Sequence, residues 1–158
     1  MKNNAASGKL QAELVITRVF DAPPDVVFKA WTDPRQMAQW WGPKNFTNPV
    51  CELDVRSGGA WRIVMRAPDG MEYISAGVYS EVVKPERLVF TNNAYDREGT
   101  SLLEGVTSVT FQAQGTKTKL TLESHVVGKV SYAAQMLAGM EAGWNQSLDR
   151  LTDLIAKG

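Results

Sequence analysis

Residues 131–156 read SYAAQMLAGMEAGWNQSLDRLTDLIA, and the spacing of apolar side chains in this stretch decides the fold. At the helical 100° per residue, Ala133, Met136, Leu137, Met140, Trp144, Leu148, Leu151, Leu154 and Ile155 fall in one arc about 120° wide. Gln135, Glu141, Asn145, Gln146, Asp149, Thr152 and Asp153 occupy the other side. The spacing predicts one amphipathic helix, N-capped by Ser131 and about 39 Å long at 1.5 Å per residue. Such a helix needs a broad apolar surface to lie on, and the upstream chain is expected to supply it as a curved sheet.

The arc changes character along its length. Leu148, Leu151, Leu154 and Ile155 are dense and branched, as in a closed core. Met136 and Met140 are flexible, and Gly139 and Gly143 interrupt the helix at a cost of about 1 kcal/mol each relative to alanine. Two readings of this half stand side by side. The glycines keep a pocket wall low while the methionines line a cavity, or a strand approaches closely and methionine fills the gaps.

Upstream, residues 1 to about 12 are small, polar and aperiodic, which predicts a flexible tail before a single domain over 13–157. Leu14, Ile16, Arg18 and Phe20 alternate with their neighbours as a first strand. Pro23-Pro24 and Asp33-Pro34 open two short helices carrying Val27, Ala30, Trp31, Met37 and Trp40, and Gly42-Pro43 ends the second. From Val50 to Val126 the period is two. Gly58-Gly59, Asp69-Gly70, Pro85-Glu86 and Gly115 mark turns, and Gly77 suggests a bulge or bend inside a long strand. Residues 92–101, NNAYDREGTS, read as the longest loop and the candidate lid. The predicted class is α+β: one strand, two helices, six strands and one long helix, with one face of an antiparallel sheet buried.

Composition narrows the function. Seventeen basic residues balance 17 acidic ones, so no overall field recruits nucleic acid. The amino end lacks the apolar core of a signal peptide and no run reaches bilayer length, so the expected compartment is the cytoplasm, without membrane insertion. Cys51 and His125 are the single cysteine and histidine, so no internal disulfide or typical structural zinc site is expected. Cys51 reads as a small buried apolar group and His125 as a surface residue. Neither a phosphate loop nor Gly-x-Ser-x-Gly occurs, and no cofactor, metal or catalytic residue is assigned. Arg18, Arg62 and Arg66, with Asp54, Glu72 and Glu104, are expected as cross-strand pairs on the exposed face; one pointing inward would be a ligand anchor.

Certain words in the sequence carry a resemblance. Ile16-Thr17-Arg18, Phe20-Asp21-Ala22-Pro23, Val27-Phe28, Ala30-Trp31-Thr32-Asp33-Pro34 and Trp40-Trp41-Gly42-Pro43 closely resemble the activator of heat-shock protein 90 ATPase homologue-like family. Gly77-Val78-Tyr79, Pro85-Glu86-Arg87-Leu88 and Gly143-Trp144 continue the likeness, over about residues 13 to 156. That family belongs to the START-like, helix-grip superfamily. The resemblance implies a curved seven-stranded antiparallel sheet gripping the carboxy-terminal helix, often around a cavity for an apolar ligand. The candidate lining is Trp41, Trp61, Met65, Tyr73, Phe90, Phe111, Met136, Met140 and Trp144.

Three functions follow. The first is non-catalytic binding of a small hydrophobic molecule; the second is a co-chaperone-type interaction module with a chaperone as partner. The third is an enzyme, a cyclase or hydrolase of hydrophobic substrates. Monomer and homodimer both remain open.

Overall fold

The computed structural model of the protein describes residues 10–157. Of the expected tail, residues 1–9 lie outside the described residues, and strand β1 (Gln11–Phe20) is already under way at Gln11. Helices α1 (Pro24–Thr32) and α2 (Pro34–Trp40) follow. The Asp33 side chain accepts a hydrogen bond from the Arg35 N–H at 3.0 Å, capping α2, and prolines occupy the first turn of both helices. Strands β2 (Thr47–Leu53), β3 (Ala60–Arg66), β4 (Glu72–Val83), β5 (Arg87–Tyr95), β6 (Ser101–Gln114) and β7 (Lys117–Gly128) then run as an antiparallel meander. β1 returns beside β7, giving one seven-stranded sheet in the order β1-β7-β6-β5-β4-β3-β2. The class and element order are those read from the sequence.

The loop expected at residues 92–101 is mostly strand. Asn92, Asn93 and Ala94 pair with Gly105, Glu104 and Leu103, leaving only the turn 96–100. There the Asp96 carboxylate accepts from the N–H groups of Glu98 and Thr100 at 3.0 and 2.8 Å. The polar composition misled because Asn92 and Ala94 alternate with residues on the outer face of a strand whose inner face is itself partly polar.

The bend expected at Gly77 also lies elsewhere. The β4–β5 register shifts between Tyr79 and Glu81. Gly77 answers to a close approach: a Cβ there would lie 2.8 Å from the indole nitrogen of Trp61 and overlap the Thr91 carbonyl. Trp61 lies over this gap and donates to the Thr91 carbonyl at 3.0 Å.

The inner face of the sheet carries Ile16, Phe20, Trp61, Ile63, Tyr79, Leu88, Phe90, Val109, Phe111, Leu120 and Leu122, all buried. α1 and α2 close one end of it through Val27, Phe28, Trp31, Met37 and Trp40. The carboxy-terminal helix crosses the remainder as two pieces, α3 (Ala133–Ala138) and α4 (Met140–Ala156), where the spacing predicted one. The break falls at Gly139, whose N–H is shared between the carbonyls of Gln135 and Met136 at 3.2 and 3.3 Å. Helix begins at Ala133, after a turn containing Ser131; Tyr132 holds the cap position without a side-chain bond.

Leu148 and Leu151 on α4 are fully buried, and Leu154 and Ile155 pack against the same cluster. This is the closed half expected from the branched end of the arc. At about 2–3 kcal/mol of transfer free energy each, these leucines hold α4 on the sheet. No helix among the described residues is long and apolar enough to cross a membrane.

Candidate functional site

At the other half of the helix pair the sheet and the helices part, and a cavity of about 590 Å³ opens between them. Met136 on α3 and Met140, Gly143 and Trp144 on α4 form its helical wall. Met65, Tyr73 and Ser75 from β3 and β4, and Asn92 and Ala94 from β5, form its sheet side. Trp41 follows α2 and closes one flank with Gly42 and Pro43. The mouth lies by Met71, Tyr73 and the turn 96–98, where Met71 is 45% and Tyr73 40% exposed.

The volume persists for a local reason. A Cβ built on Gly143 meets nothing within 4 Å, and on Gly139 it meets only carbonyls of its own helix at 3.7 Å and beyond. No strand approaches either glycine. Of the two readings of this half of the helix, the close-strand one is therefore set aside by geometry, and Gly143 withholds a side chain from open space.

A wall of tryptophan separates the cavity from the core. Trp41 meets Trp144 edge-on with ring centres 5.4 Å apart and Trp61 at 5.8 Å; Trp144 in turn stacks on Trp31 at 6.1 Å with planes 19° apart. Trp31 contacts Trp40 at 4.7 Å, so all five tryptophans form one cluster. Behind the wall, the gap among Trp31, Trp61, Tyr79 and Phe90 is about 10 Å³. Seven of the nine residues read as candidate lining, namely Trp41, Trp61, Met65, Tyr73, Met136, Met140 and Trp144, border the cavity. Phe90 and Phe111 do not. They lie on the inner face but under α1, where Phe111 meets Phe28 at 5.2 Å and Phe90 meets Trp31 at 6.5 Å.

Polar contacts fix the flank. The Arg150 guanidinium donates to the carbonyls of Trp41, Gly42 and Pro43 at 3.0–3.1 Å and to that of Gln39 at 3.0 Å. These carbonyls belong to the end of α2 and the turn after it, and a cation suits that negative end of the helix dipole. Burial lowers the Arg150 pKa from its ordinary value. Ser147 accepts from the Gly42 N–H at 3.0 Å and Gln146 from that of Lys44 at 3.0 Å. Gly42 takes φ +96° there, a conformation that favours glycine. Three side chains of α4 thus hold Trp41 against the cavity.

Of the strand charges expected outside, Arg66 pairs with its cross-strand neighbour Glu72 at 2.6 Å and Arg62 is exposed. Arg18 differs. It lies on the inner side of edge strand β1 and binds α4 through Asp149 at 2.8 Å and the Asn145 carbonyl at 3.1 Å. It anchors a helix and does not enter the cavity. His125 is exposed, with Gln11 2.9 Å from its Nε2. Cys51 is half-buried, and its thiol is pushed up to about 11, first by burial and then by the charges of Asp33 and Glu52.

The cavity lining holds an amide that the sequence reading missed, Asn92, backed by two hydroxyls that do not themselves border the space. Asn92 accepts from the Thr107 hydroxyl at 2.8 Å, and Thr107 and Ser124 hydroxyls lie 2.9 Å apart on adjacent strands, both buried. Hydroxyls at alternate inward positions of β6 and β7 were the available signal.

Residues 21–156 match the family described as Activator of Hsp90 ATPase homolog 1-like protein. The solved AHSA1 protein of Silicibacter pomeroyi is 26% identical over 92% of this chain and 98% of its own, with a TM-score of 0.78. A protein of Chromobacterium violaceum is 27% identical over 90% and 96% of the two chains, with a TM-score of 0.73. One from Arthrobacter aurescens shares the fold at 23% identity and a TM-score of 0.79, over 98% and 91%. No curated protein matches the chain. The seven-stranded grip on the carboxy-terminal helices, the cavity between them and the match over residues 21–156 agree: the chain belongs to the Activator of Hsp90 ATPase homolog 1-like family.

Proposed function

We propose that this domain binds a small hydrophobic molecule, without catalysis, in the cavity between the sheet and the carboxy-terminal helices. Family membership supports a ligand-binding or co-chaperone-like module. The observation favouring the ligand is an opening of about 590 Å³ walled by tryptophan and methionine, within the size range of small-molecule sites. A module acting only through its surface has no use for this space, whose maintenance forgoes packing. Methionine walls adapt to varied apolar shapes, and the aromatic flank supplies rigid contact area. Among the side chains bordering the cavity, Glu72, Asp96 and Glu98 stand toward the mouth and the uncharged polar ones are amides and hydroxyls such as Asn92, Ser75 and Ser147, which favours holding a ligand over acid–base chemistry on it.

Native mass spectrometry of the purified protein, combined with titration by the uncharged fluorophore N-phenyl-1-naphthylamine, tests the proposal. A co-purifying small mass or saturable fluorescence gain is expected, and Met140→Trp should reduce the gain while leaving the thermal transition in place. Neither signal in the wild type, or unfolding by Met140→Trp, would count against a cavity open to ligand. The same spectrum separates monomer from homodimer.

A further inference from the structure

Asn92 is a polar side chain in the cavity lining. It lies on the inner face of β5, opposite Gly105 of β6; on the other side Ala76 pairs with Asn93, which brings Gly77 next to Asn92. Over these two glycines lie the Trp61 indole and a Val126 methyl, so the amide is bordered by apolar groups on both sides. Its Oδ1 is occupied by the hydroxyl proton of Thr107 at 2.8 Å. Having given its one proton to Asn92, Thr107 is left to accept from Ser124 at 2.9 Å. Thr107 is fully buried and Ser124 is 4% exposed, so this relay is sealed within the sheet. In this arrangement the amide oxygen meets Thr107, which leaves the amide nitrogen for the cavity that Asn92 borders. Among the described residues the one side-chain hydrogen bond of Asn92 is that with Thr107.

We infer that the cavity selects an uncharged ligand bearing a hydrogen-bond acceptor, such as a ketone, ester or amide carbonyl, at its inner end, where the Asn92 amide donates to it. The inference rests on the binding function proposed above. An apolar ligand group seated against this donor strips it of water and leaves it unpaired, whereas a ligand acceptor replaces the water. A carboxylate is disfavoured: among the described lining residues Arg97 is the one cation, and it is exposed on the turn at the mouth. A buried acid would lack a counter-ion.

Displacement of N-phenyl-1-naphthylamine by benzophenone, diphenylmethane and diphenylacetic acid tests this. The three share an apolar body and differ in offering a carbonyl, a methylene or a carboxylate. A cavity with no donor ranks diphenylmethane first, because the hydrocarbon gains more on leaving water. Here benzophenone is expected to bind about tenfold more tightly than diphenylmethane, the effect of one neutral hydrogen bond, with the acid weakest. Asn92→Leu should bring the ketone to or below the hydrocarbon. Asn92→Asp, nearly isosteric, should also abolish the preference, and fluorophore binding by either variant reports that the cavity persists. Equal or stronger binding of diphenylmethane by the wild type, or a ketone preference unchanged in both variants, overturns the inference while leaving ligand binding intact. Failure of the wild type to bind the fluorophore and all three compounds overturns both.

Discussion

Arg150 shows how much a single side chain organises. It donates to four carbonyls of α2 and the following turn. Pro43 and Trp41 keep second donors in the Phe46 N–H and the Asn48 amide, whereas loss of the guanidinium would leave the carbonyls of Gln39 and Gly42 unpaired. Arg150→Met is expected to destabilise the protein by about 1.5–3 kcal/mol in urea unfolding and to free Trp41, seen as a red-shifted tryptophan emission. Cys51 gives a prediction in pH. Its thiol rises from 9.0 to about 11 on folding, so the folded state holds this proton more firmly than the unfolded chain. The contribution is fully present below pH 9.0 and is lost between pH 9.0 and about 11. Alkylation at pH 8 should run about a hundredfold slower in the native protein than in urea, in keeping with thiolate fraction. The burial behind the Cys51 shift was read from the sequence, where it counted as a small buried group; the role of Arg150 was not. Arginine on the flank of an amphipathic helix reads as solvated, and nothing in its spacing tells that a distant turn lies within reach. Arg18 misleads likewise, for inward and outward positions of an edge strand differ only in what happens to cross beside them.

At the scale of elements, the sequence was most readable where one side of each strand is uniformly apolar. β3 and β7 follow their alternation closely, and the turns at Gly58, Gly70 and Gly115 all carry positive φ. Reading failed where the inner face turns polar, as at Asn92, because an amide facing a cavity looks like a loop residue. The helix presents the reverse case. Its arc was correct, yet a wheel is blind to length, and the break at Gly139 follows from local backbone freedom that periodicity does not record. Gly143 makes this testable. Since an added methyl meets no atom within 4 Å, Gly143→Ala should raise stability by about 0.5–1 kcal/mol, measured as a higher Tm. A loss of stability would mean that the wall is not free there.

Across the whole molecule, stability and the open space occupy different ends of the same helix pair. Leu151→Ala removes a fully buried side chain and is expected to cost about 2–5 kcal/mol. Met136→Ala, on the cavity wall, is expected to cost under about 1 kcal/mol, and a comparable loss in both would show a filled cavity. The resemblance in the first half of the chain and the amphipathic end together conveyed the architecture. Depth was beyond them: Phe90 and Phe111 share the parity of Trp61 and Met65, and only the placement of α1 puts them in the core. The seam joining β1 to β7 bears on the order of events in time. Gln11 meets His125 across 114 positions of chain, so β1, made before the other six strands of this sheet, is among the last to find its neighbour. The six-stranded meander can form by successive hairpins, each a short loop closure, whereas this seam brings together distant ends at a larger entropic cost. Until it closes, the growing chain presents β7 as an unpaired edge, and Arg18 has no α4 to hold.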